Sequence, residues 1–347
     1  MPEFSFSSEL LQDLARATPG MKILAIKGGD EVLFSEFGET YLVYDLASLT
    51  KIIFTVTAVM LAEDKGLLDS EDFVHKHLEW FPAKTIRISH LLAHHSGLAQ
   101  WLPVYEQLRE RNLVGRNHYP QNWEVVKEMI ISSPITKYPA ESVYSDLDFW
   151  MLGFILEHVF GQSLHSVWQS LNLQMGLKET DFNVGNDPLF SSDEYAPTEN
   201  CPWRSKVLCG EVHDENTWAL GGVCSHAGLF GSIENVGKWA TGLRDAFYGG
   251  SWVIHPETVK KYAKQTGPGF WTLGFMQPSV TDSAAGSKIS RNAIGHWGYT
   301  GTGLWFDPDN DLVIASVSNR VHPTRENVLF PKLRPRIHDE IYSFLGY

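Results

Sequence analysis

Ser48 and Lys51 stand three residues apart at the start of an apolar run, and together they could form a nucleophile and its proton partner. The run over residues 52–62 predicts a buried helix, on which residues three apart share a face. A serine hydroxyl becomes a nucleophile when a neighbouring base accepts its proton, and a desolvated lysine can be that base or assist another. The start of a helix also offers N–H groups to a developing negative charge. Alone, the four-residue pattern also arises by chance, as an N-cap serine beside a surface lysine.

Two further polar motifs follow in chain order, Tyr144-Ser145-Asp146 and His296-Trp297-Gly298. With three motifs in this order and at this spacing, the sequence resembles the penicillin-recognising serine hydrolases, which comprise class C β-lactamases, DD-peptidases and related esterases and amidases. The resemblance includes residues 86–97 and 144–153 and covers nearly the whole chain. It implies a serine hydrolase of the β-lactamase/transpeptidase fold.

The resemblance also implies a role for each matching residue. Ser48 is then the acylated nucleophile and Lys51 its proton partner, and Tyr144 is a second base that takes the Ser48 proton and later activates water. A free phenol has a pKa near 10, so this role calls for a nearby cation to favour the phenolate, and Lys51 is the candidate. The oxyanion hole would be the backbone N–H groups of Ser48 and Tyr299, donors worth roughly 3–4 kcal/mol each in such sites.

Three departures from the β-lactamase pattern bear on the substrate. His296 stands where β-lactamases place a lysine, and a mostly neutral imidazole would bind a β-lactam carboxylate less well. Trp297 replaces a small hydroxyl residue, which removes a hydrogen bond and adds bulk. Asp146 replaces an asparagine and is expected to pair with Lys51, which would keep the lysine charged and favour Tyr144 as the base. Together they predict an esterase, peptidase or amidase rather than an efficient β-lactamase.

A finer resemblance comes from residues 196–199, 210–216 and 221–230. They are similar to the branch that contains N-acetylmuramyl-L-alanine amidases, which cut the peptide from muramic acid during cell-wall recovery. This resemblance implies an amide or peptide bond in muropeptide fragments as the substrate. It also implies a substrate-binding wall made by His213, Asp214, Glu215 and Asn216. Trp297 and Gly298 of the third motif are further substrate-binding candidates. The alternative, that residues 213–216 merely tie down an irregular loop, stays open.

Two other functions compete with the amidase. The 12 tryptophans could form an apolar acyl pocket, which would suit a carboxylesterase acting on small esters. The altered third motif would also suit a peptidoglycan-binding relative without turnover. His90 and His94 have the spacing of a zinc-binding pair on a helix, but the leucines and alanine between them indicate packing. We therefore predict no metal and no cofactor.

The elements around the motifs predict an α/β fold (an α+β sandwich), with an antiparallel sheet flanked by helices and an inserted, mainly helical subdomain. Helices are expected at 8–16, 123–132, 148–160, 233–247 and 333–344, another within 86–97, and one from Ser48 to Gly66. Strands are expected at 21–27, 31–37, 294–307 and 312–319, and residues 212–232 are expected to be an irregular loop. We predict one catalytic domain over 1–347, with an α/β subdomain (1–68 and 220–347) and a helical subdomain (69–219).

The composition excludes several classes of partner. With 28 basic and 41 acidic residues the net charge is −13, and no basic run suggests a nucleic acid or an anionic membrane surface. No apolar stretch is long enough for a transmembrane helix. Three cysteines at uneven spacing indicate reduced thiols, and no signal peptide is evident, so we expect a cytoplasmic protein. An exported protein whose signal had been removed would have the same sequence features.

Overall fold

An antiparallel sheet joins the two ends of the chain in the computed structural model, which describes residues 4–136, 141–184, 189–264 and 269–347. Its strand order is β2-β1-β10-β9-β8, and β1 pairs with β10 from Met21 opposite Ser318 to Lys27 opposite Leu312. The strands are β1 (Gly20–Lys27), β2 (Asp30–Gly38), β3 (Tyr44–Asp45), β4 (Thr180–Phe182), β5 (Asn200–Cys201), β6 (Lys206–Val207), β7 (Leu229–Gly231), β8 (Ile294–Trp297), β9 (Gly303–Asp307) and β10 (Leu312–Ser318).

The sheet is buried on both faces because its strands alternate two apolar sets. Leu24 and Ile26 of β1 belong to the core on one face, while Ile23 and Ala25 belong to the core on the other. Helix α10 packs on the first face, and α1 and α12 pack together on the second. The predicted antiparallel sheet with helices on its faces is therefore confirmed.

The helices are α1 (Ser8–Ala17), α2 (Thr57–Asp64), α3 (Val74–His77), α4 (Ile88–Leu92), α5 (Val104–Glu110), α6 (Gln121–Ser132), α7 (Asp146–Phe160), α8 (Leu164–Met175), α9 (Glu215–Ala219), α10 (Ile233–Phe247), α11 (Pro256–Ala263) and α12 (Leu329–Phe344). In the described part of the chain, no helix combines the length and apolar character needed to cross a membrane. The expected loop over 212–232 is corrected in two places, because α9 and β7 lie inside it.

Helix α7 shows how the sequence ends and begins these elements. The Ser145 hydroxyl accepts the Asp148 N–H at the N-terminus, and Gly161 ends the helix in a left-handed conformation (φ 63°). Its side chains are buried on nearly every side, because α2, α4 and α8 surround it. A buried helix that begins at Asp146 fixes that carboxylate in space.

The segment after Ser48 is a tightly buried but irregular helix. Residues Lys51–Val56 form π-helical turns that continue into α2, and every side chain from 51 to 62 is buried. Gly66 ends the segment with φ 66°, where the Leu67 N–H bonds the Ala62 carbonyl. Phe54 packs edge-on against Trp168 of α8, so sheet-side and helical regions share one core. The division of the domain at residues 69 and 219 stays a prediction.

Candidate active site

A strained turn presents Ser48 at the head of its helix. Asp45 is buried, and its two carboxylate oxygens accept the Ala47 N–H and the His213 N–H, each at 2.8 Å. Ala47 lies in the left-handed region (φ 46°), which is costly for a residue with a Cβ. The turn therefore depends on the buried Asp45 to hold it.

Four of the predicted catalytic residues meet at Ser48. The Ser48 Oγ lies 3.1 Å from the Lys51 Nζ and 2.9 Å from the Tyr144 Oη. The Lys51 Nζ also donates to Asp146 Oδ1 at 2.8 Å and to the His226 carbonyl at 3.2 Å. A buried loop, a buried helix and the start of α7 thus supply one continuous hydrogen-bonded group.

The protonation states of this group follow from burial and pairing. Burial opposes a charge on Lys51, but Asp146 and then Tyr144 raise the pKa of Lys51 above its usual value, so the lysine is charged. Burial raises the pKa of Tyr144, and the neighbouring Lys51 only partly offsets this. At neutral pH Tyr144 is therefore a phenol, which corrects the expectation that Lys51 would keep it a phenolate.

The β8–β9 turn docks onto the segment before Ser48 and brings Tyr299 to it. Thr300 Oγ1 donates to the Asp45 carbonyl at 2.7 Å, and Thr302 Oγ1 donates to the Leu46 carbonyl at 3.0 Å. Tyr299 and Ser48 line the same cavity, and among the described residues no acceptor bonds either backbone N–H. Two free N–H donors are what an oxyanion hole requires.

His296 lies near Tyr144 but not in the cavity. Its ring centroid is 5.9 Å from that of Tyr144, it is buried, and its Nδ1–H donates to the Trp297 carbonyl at 2.8 Å. Burial, followed by the charge of Lys51, lowers the pKa of His296 to about 3. The imidazole is thus neutral, and it packs beside the catalytic group rather than facing the open cavity.

The predicted substrate-binding role of Trp297 and Gly298 is corrected, because the Trp297 side chain lies away from the cavity and Gly298 is needed for the packing of the turn. The side chains of successive strand residues point to opposite faces of a sheet. His296 therefore lies on one face, and Trp297 packs against Trp305 on the other. At Gly298 a Cβ would lie 2.8 Å from the Leu46 carbonyl, so glycine is required by the close approach of the turn.

The predicted wall over 213–216 divides into cavity and support. His213, Asp214 and Glu215 line the cavity of about 290 Å³ that holds Ser48. Asn216 is fully buried, and its amide bonds the Tyr105 N–H and the Leu102 carbonyl, so its role is structural. The segment thus contributes three residues to the cavity wall and one to the packing around it, and binding of substrate by this wall stays a prediction.

Three of the lining residues with aromatic or charged side chains were not predicted from the sequence: Trp101, His226 and Arg325. Arg325 bridges two carboxylates, with Nε 2.8 Å from Glu199 and Nη2 2.6 Å from Glu215. Burial opposes the charge of Glu199, but His213 and Arg325 lower the pKa of Glu199 to about 2. Arg325 and Trp101 lie in loops and belong to no motif, whereas His226 lies in the segment 221–230 that carries the finer resemblance.

A neutral acid lies behind Tyr144. His94 Nδ1 accepts the Ser145 N–H at 3.1 Å and faces Asp148 Oδ2 at 3.2 Å, so the proton between them belongs to the carboxyl group. Burial raises the pKa of Asp148 well above its usual value, although Ser96 donates to it. The His94 ring lies 4.8 Å from that of Tyr144. In the described ranges, no cluster of ligating side chains could hold a metal, and His94 serves this acid instead.

Comparisons with known proteins agree with this geometry. The model of the family described as Beta-lactamase matches residues 8–334. An Escherichia coli (strain K12) protein named as a D-alanyl-D-alanine carboxypeptidase is 33% identical over 312 residues, which cover 80% of this chain and 69% of that protein.

Solved structures share the fold at low sequence identity. A class C β-lactamase from Rhodobacter sphaeroides has a TM-score of 0.69 at 18% identity, covering 98% of this chain and 100% of that one. The simvastatin synthase LovD from Aspergillus terreus has a TM-score of 0.70 at 17% identity, covering 97% of each chain.

Replacing the Tyr144 hydroxyl tests its place beside the nucleophile. We expect Tyr144→Phe to lower kcat by about 10²–10⁴-fold on any ester or amide that the wild type cleaves, because a proton-transfer group is lost. Ser48→Ala is the reference for complete loss, and mass spectrometry should find no acyl-enzyme in it. Wild-type turnover by Tyr144→Phe would remove Tyr144 from the mechanism.

Asp148→Asn tests the neutral acid. The folded-state pKa of Asp148 is raised, so its protonated form contributes to the stability of the wild type. This contribution is fully present below the unfolded-state pKa near 4 and is lost as the pH rises toward the folded-state pKa. Between pH 5 and pH 7 we expect the free energy of unfolding of the wild type, measured in urea, to fall relative to Asp148→Asn by up to about 1.4 kcal/mol per pH unit. Asp30→Asn, at an exposed carboxylate, is the control; a constant difference for Asp148→Asn would contradict the assignment.

Proposed function

The chain belongs to the beta-lactamase family of serine hydrolases, and on this basis we propose that it cleaves an amide bond in muropeptide fragments of the cell wall through an acyl-enzyme at Ser48. The relative from Escherichia coli is named as a D-alanyl-D-alanine carboxypeptidase, and this name supports a cell-wall peptide as the substrate class. The bond that we favour joins muramic acid to L-alanine.

The polar wall opposite Ser48 is the observation that carries this proposal. His213, Asp214, Glu215 and Arg325 face a cavity in which the Trp101 ring, 44% exposed, supplies an apolar surface. A muropeptide offers amides, hydroxyls and carboxylates to such a wall and a sugar ring to the indole.

The charges of the cavity favour an internal bond over a C-terminal one. A carboxypeptidase must receive a terminal carboxylate, and a free cation does this best. Among the described residues that line the cavity, Arg325 is already shared by Glu199 and Glu215, and His226 is paired with Asp214. His296 lies outside the cavity and is neutral and buried. The same lack of a free cation argues against efficient turnover of β-lactams, which carry a carboxylate.

The proposed chemistry uses Tyr144 as a proton relay. Ser48 Oγ attacks the amide carbonyl while its proton passes to Tyr144 Oη, and Tyr144 gives its own proton to the leaving nitrogen. The negative charge on the carbonyl oxygen is held by the N–H groups of Ser48 and Tyr299. After the amine leaves, water attacks the ester and its proton returns through Tyr144 to Ser48. Lys51 stays charged throughout and stabilises each oxygen as it loses its proton.

The direct test is incubation of the wild type and Ser48→Ala with an N-acetylmuramyl-L-alanyl peptide, followed by mass spectrometry. We expect the wild type alone to release free N-acetylmuramic acid. Release of D-alanine from a D-alanyl-D-alanine peptide instead would make it a carboxypeptidase, and cleavage of simple esters alone would make it a carboxylesterase. Failure on all three would favour a peptidoglycan-binding protein without turnover.

Trp101→Ala tests whether the indole receives the sugar. Loss of an aromatic surface worth about 1.4 kcal/mol should raise KM about tenfold for the N-acetylmuramyl-L-alanyl peptide. A lactyl-L-alanyl peptide, which lacks the sugar ring, should show no change. Phe34→Ala removes a ring of similar exposure on the outer strand β2 and is the matched control. An equal KM increase for both substrates would show that Trp101 contacts the peptide rather than the sugar.

A further inference from the structure

Two arginines lie behind the turn that carries Tyr299, and both hold backbone carbonyls. Arg334 Nη2 donates to the Gly298 carbonyl at 3.1 Å, and Arg320 Nε donates to the Tyr299 carbonyl at 2.8 Å. In the described part of the chain, neither guanidinium has a carboxylate within ion-pair distance. Arg320 is buried and Arg334 is partly buried, and removing a cation from water without a counter-charge is costly, so the bonds to these carbonyls offset part of that cost.

Helix α12 fixes the position of Arg334. The guanidinium carbon lies 4.4 Å from the Trp297 ring centroid, and Trp297 packs on the same face of the sheet as α12. Its Nε is buried and has no partner among the described residues, so the side chain is held by the Trp297 ring and the Gly298 carbonyl. Burial, followed by the charge of Arg320, lowers the pKa of Arg334 to about 9, which leaves the group charged at neutral pH.

The bond from Arg334 reinforces the direction of the Tyr299 N–H. The peptide between Gly298 and Tyr299 is trans, and in a trans peptide the C=O and the next N–H point in opposite directions. Since the Gly298 carbonyl points toward α12, the Tyr299 N–H points away from α12, toward the side of the sheet on which Ser48 lies. Within the turn the Gly298 carbonyl also accepts the Gly301 N–H at 3.2 Å, so Arg334 adds a second, charged donor from outside the turn.

We propose that Arg334 is a positioning residue of the oxyanion hole, which aims the Tyr299 N–H at the reacting carbonyl oxygen and strengthens it as a donor. This inference rests on the proposed acyl transfer at Ser48, but not on the identity of the substrate. The charge of Arg334 polarises the peptide to which it is bonded, and a more polarised N–H stabilises the oxyanion better. Arg334 would thus act on the transition state while touching no substrate.

The test is the rate of Ser48 acylation in Arg334→Gln, measured with an activated ester and with a fluorophosphonate. Removing one oxyanion donor outright costs about 10²–10³-fold in rate, so misdirecting one should lower kcat by about 10–10²-fold with KM nearly unchanged. Arg336→Gln, two residues further along α12, removes the same charge from a surface pair with Asp13 and should keep wild-type kinetics. Arg334→Lys, which keeps a charged donor, should recover part of the rate.

Binding of a boronic acid separates positioning from general damage, because its tetrahedral adduct places an oxygen in the oxyanion hole. We expect Arg334→Gln to weaken this binding about as much as it lowers kcat. If Arg334→Gln does not fold, Arg334→Met, which keeps the packing on Trp297, replaces it in the same measurements. Wild-type acylation and boronate binding in the folded variant would overturn the inference. A wild-type protein that no reagent acylates would instead overturn the proposed role of Ser48.

Discussion

The buried ammonium of Lys51 is the interaction on which the rest of the site depends. Its side chain is fully buried, and an unpaired charge there would cost several kcal/mol. Three acceptors offset this cost, and they come from separate parts of the chain: Ser48 Oγ, Asp146 Oδ1 and the His226 carbonyl. The helix after Ser48, the start of α7 and the loop before β7 must therefore come together correctly for the cation to be buried at all. The catalytic group therefore forms only when these three segments are packed against one another.

Two titratable groups beside this ion pair, Asp148 and His296, are kept neutral. Asp148 lies two residues beyond Asp146 on α7 and shares its proton with His94, so a second negative charge is absent. His296 on the opposite side is neutral because burial and Lys51 both oppose its protonation. Since Asp146 balances Lys51 alone, a second cation beside it would lack a partner. Asp146 and His296 both depart from the β-lactamase pattern, and the two changes are electrostatically consistent with each other.

The sequence predicted the elements whose patterns are local and repeated, and the residues that belong to motifs. The antiparallel sheet follows from alternating strands, and the motif order identified Ser48, Lys51, Tyr144 and Asp146, which the structure brings into contact. Trp297 was predicted to bind substrate because of its motif, whereas the alternation of side chains along β8 places it on the far face of the sheet. Arg325 and Trp101 lie in loops without a motif, so only the folded chain reveals that they line the cavity. The phenol state of Tyr144 depends on burial by distant segments, which no local pattern encodes.

The fixed charges around the reacting centre are distributed unevenly between the cavity wall and the Tyr299 turn. Asp146 balances Lys51, Tyr144 is a phenol and His296 is neutral, so the resting centre carries no net charge. On the cavity wall Glu215 is paired with Arg325 and Asp214 with His226. Behind the Tyr299 turn lie two arginines that have no acidic partner among the described residues. When the carbonyl oxygen becomes negative, it is therefore drawn toward that turn. The fixed charges thus favour the transition state over the neutral amide, which is the difference that catalysis requires.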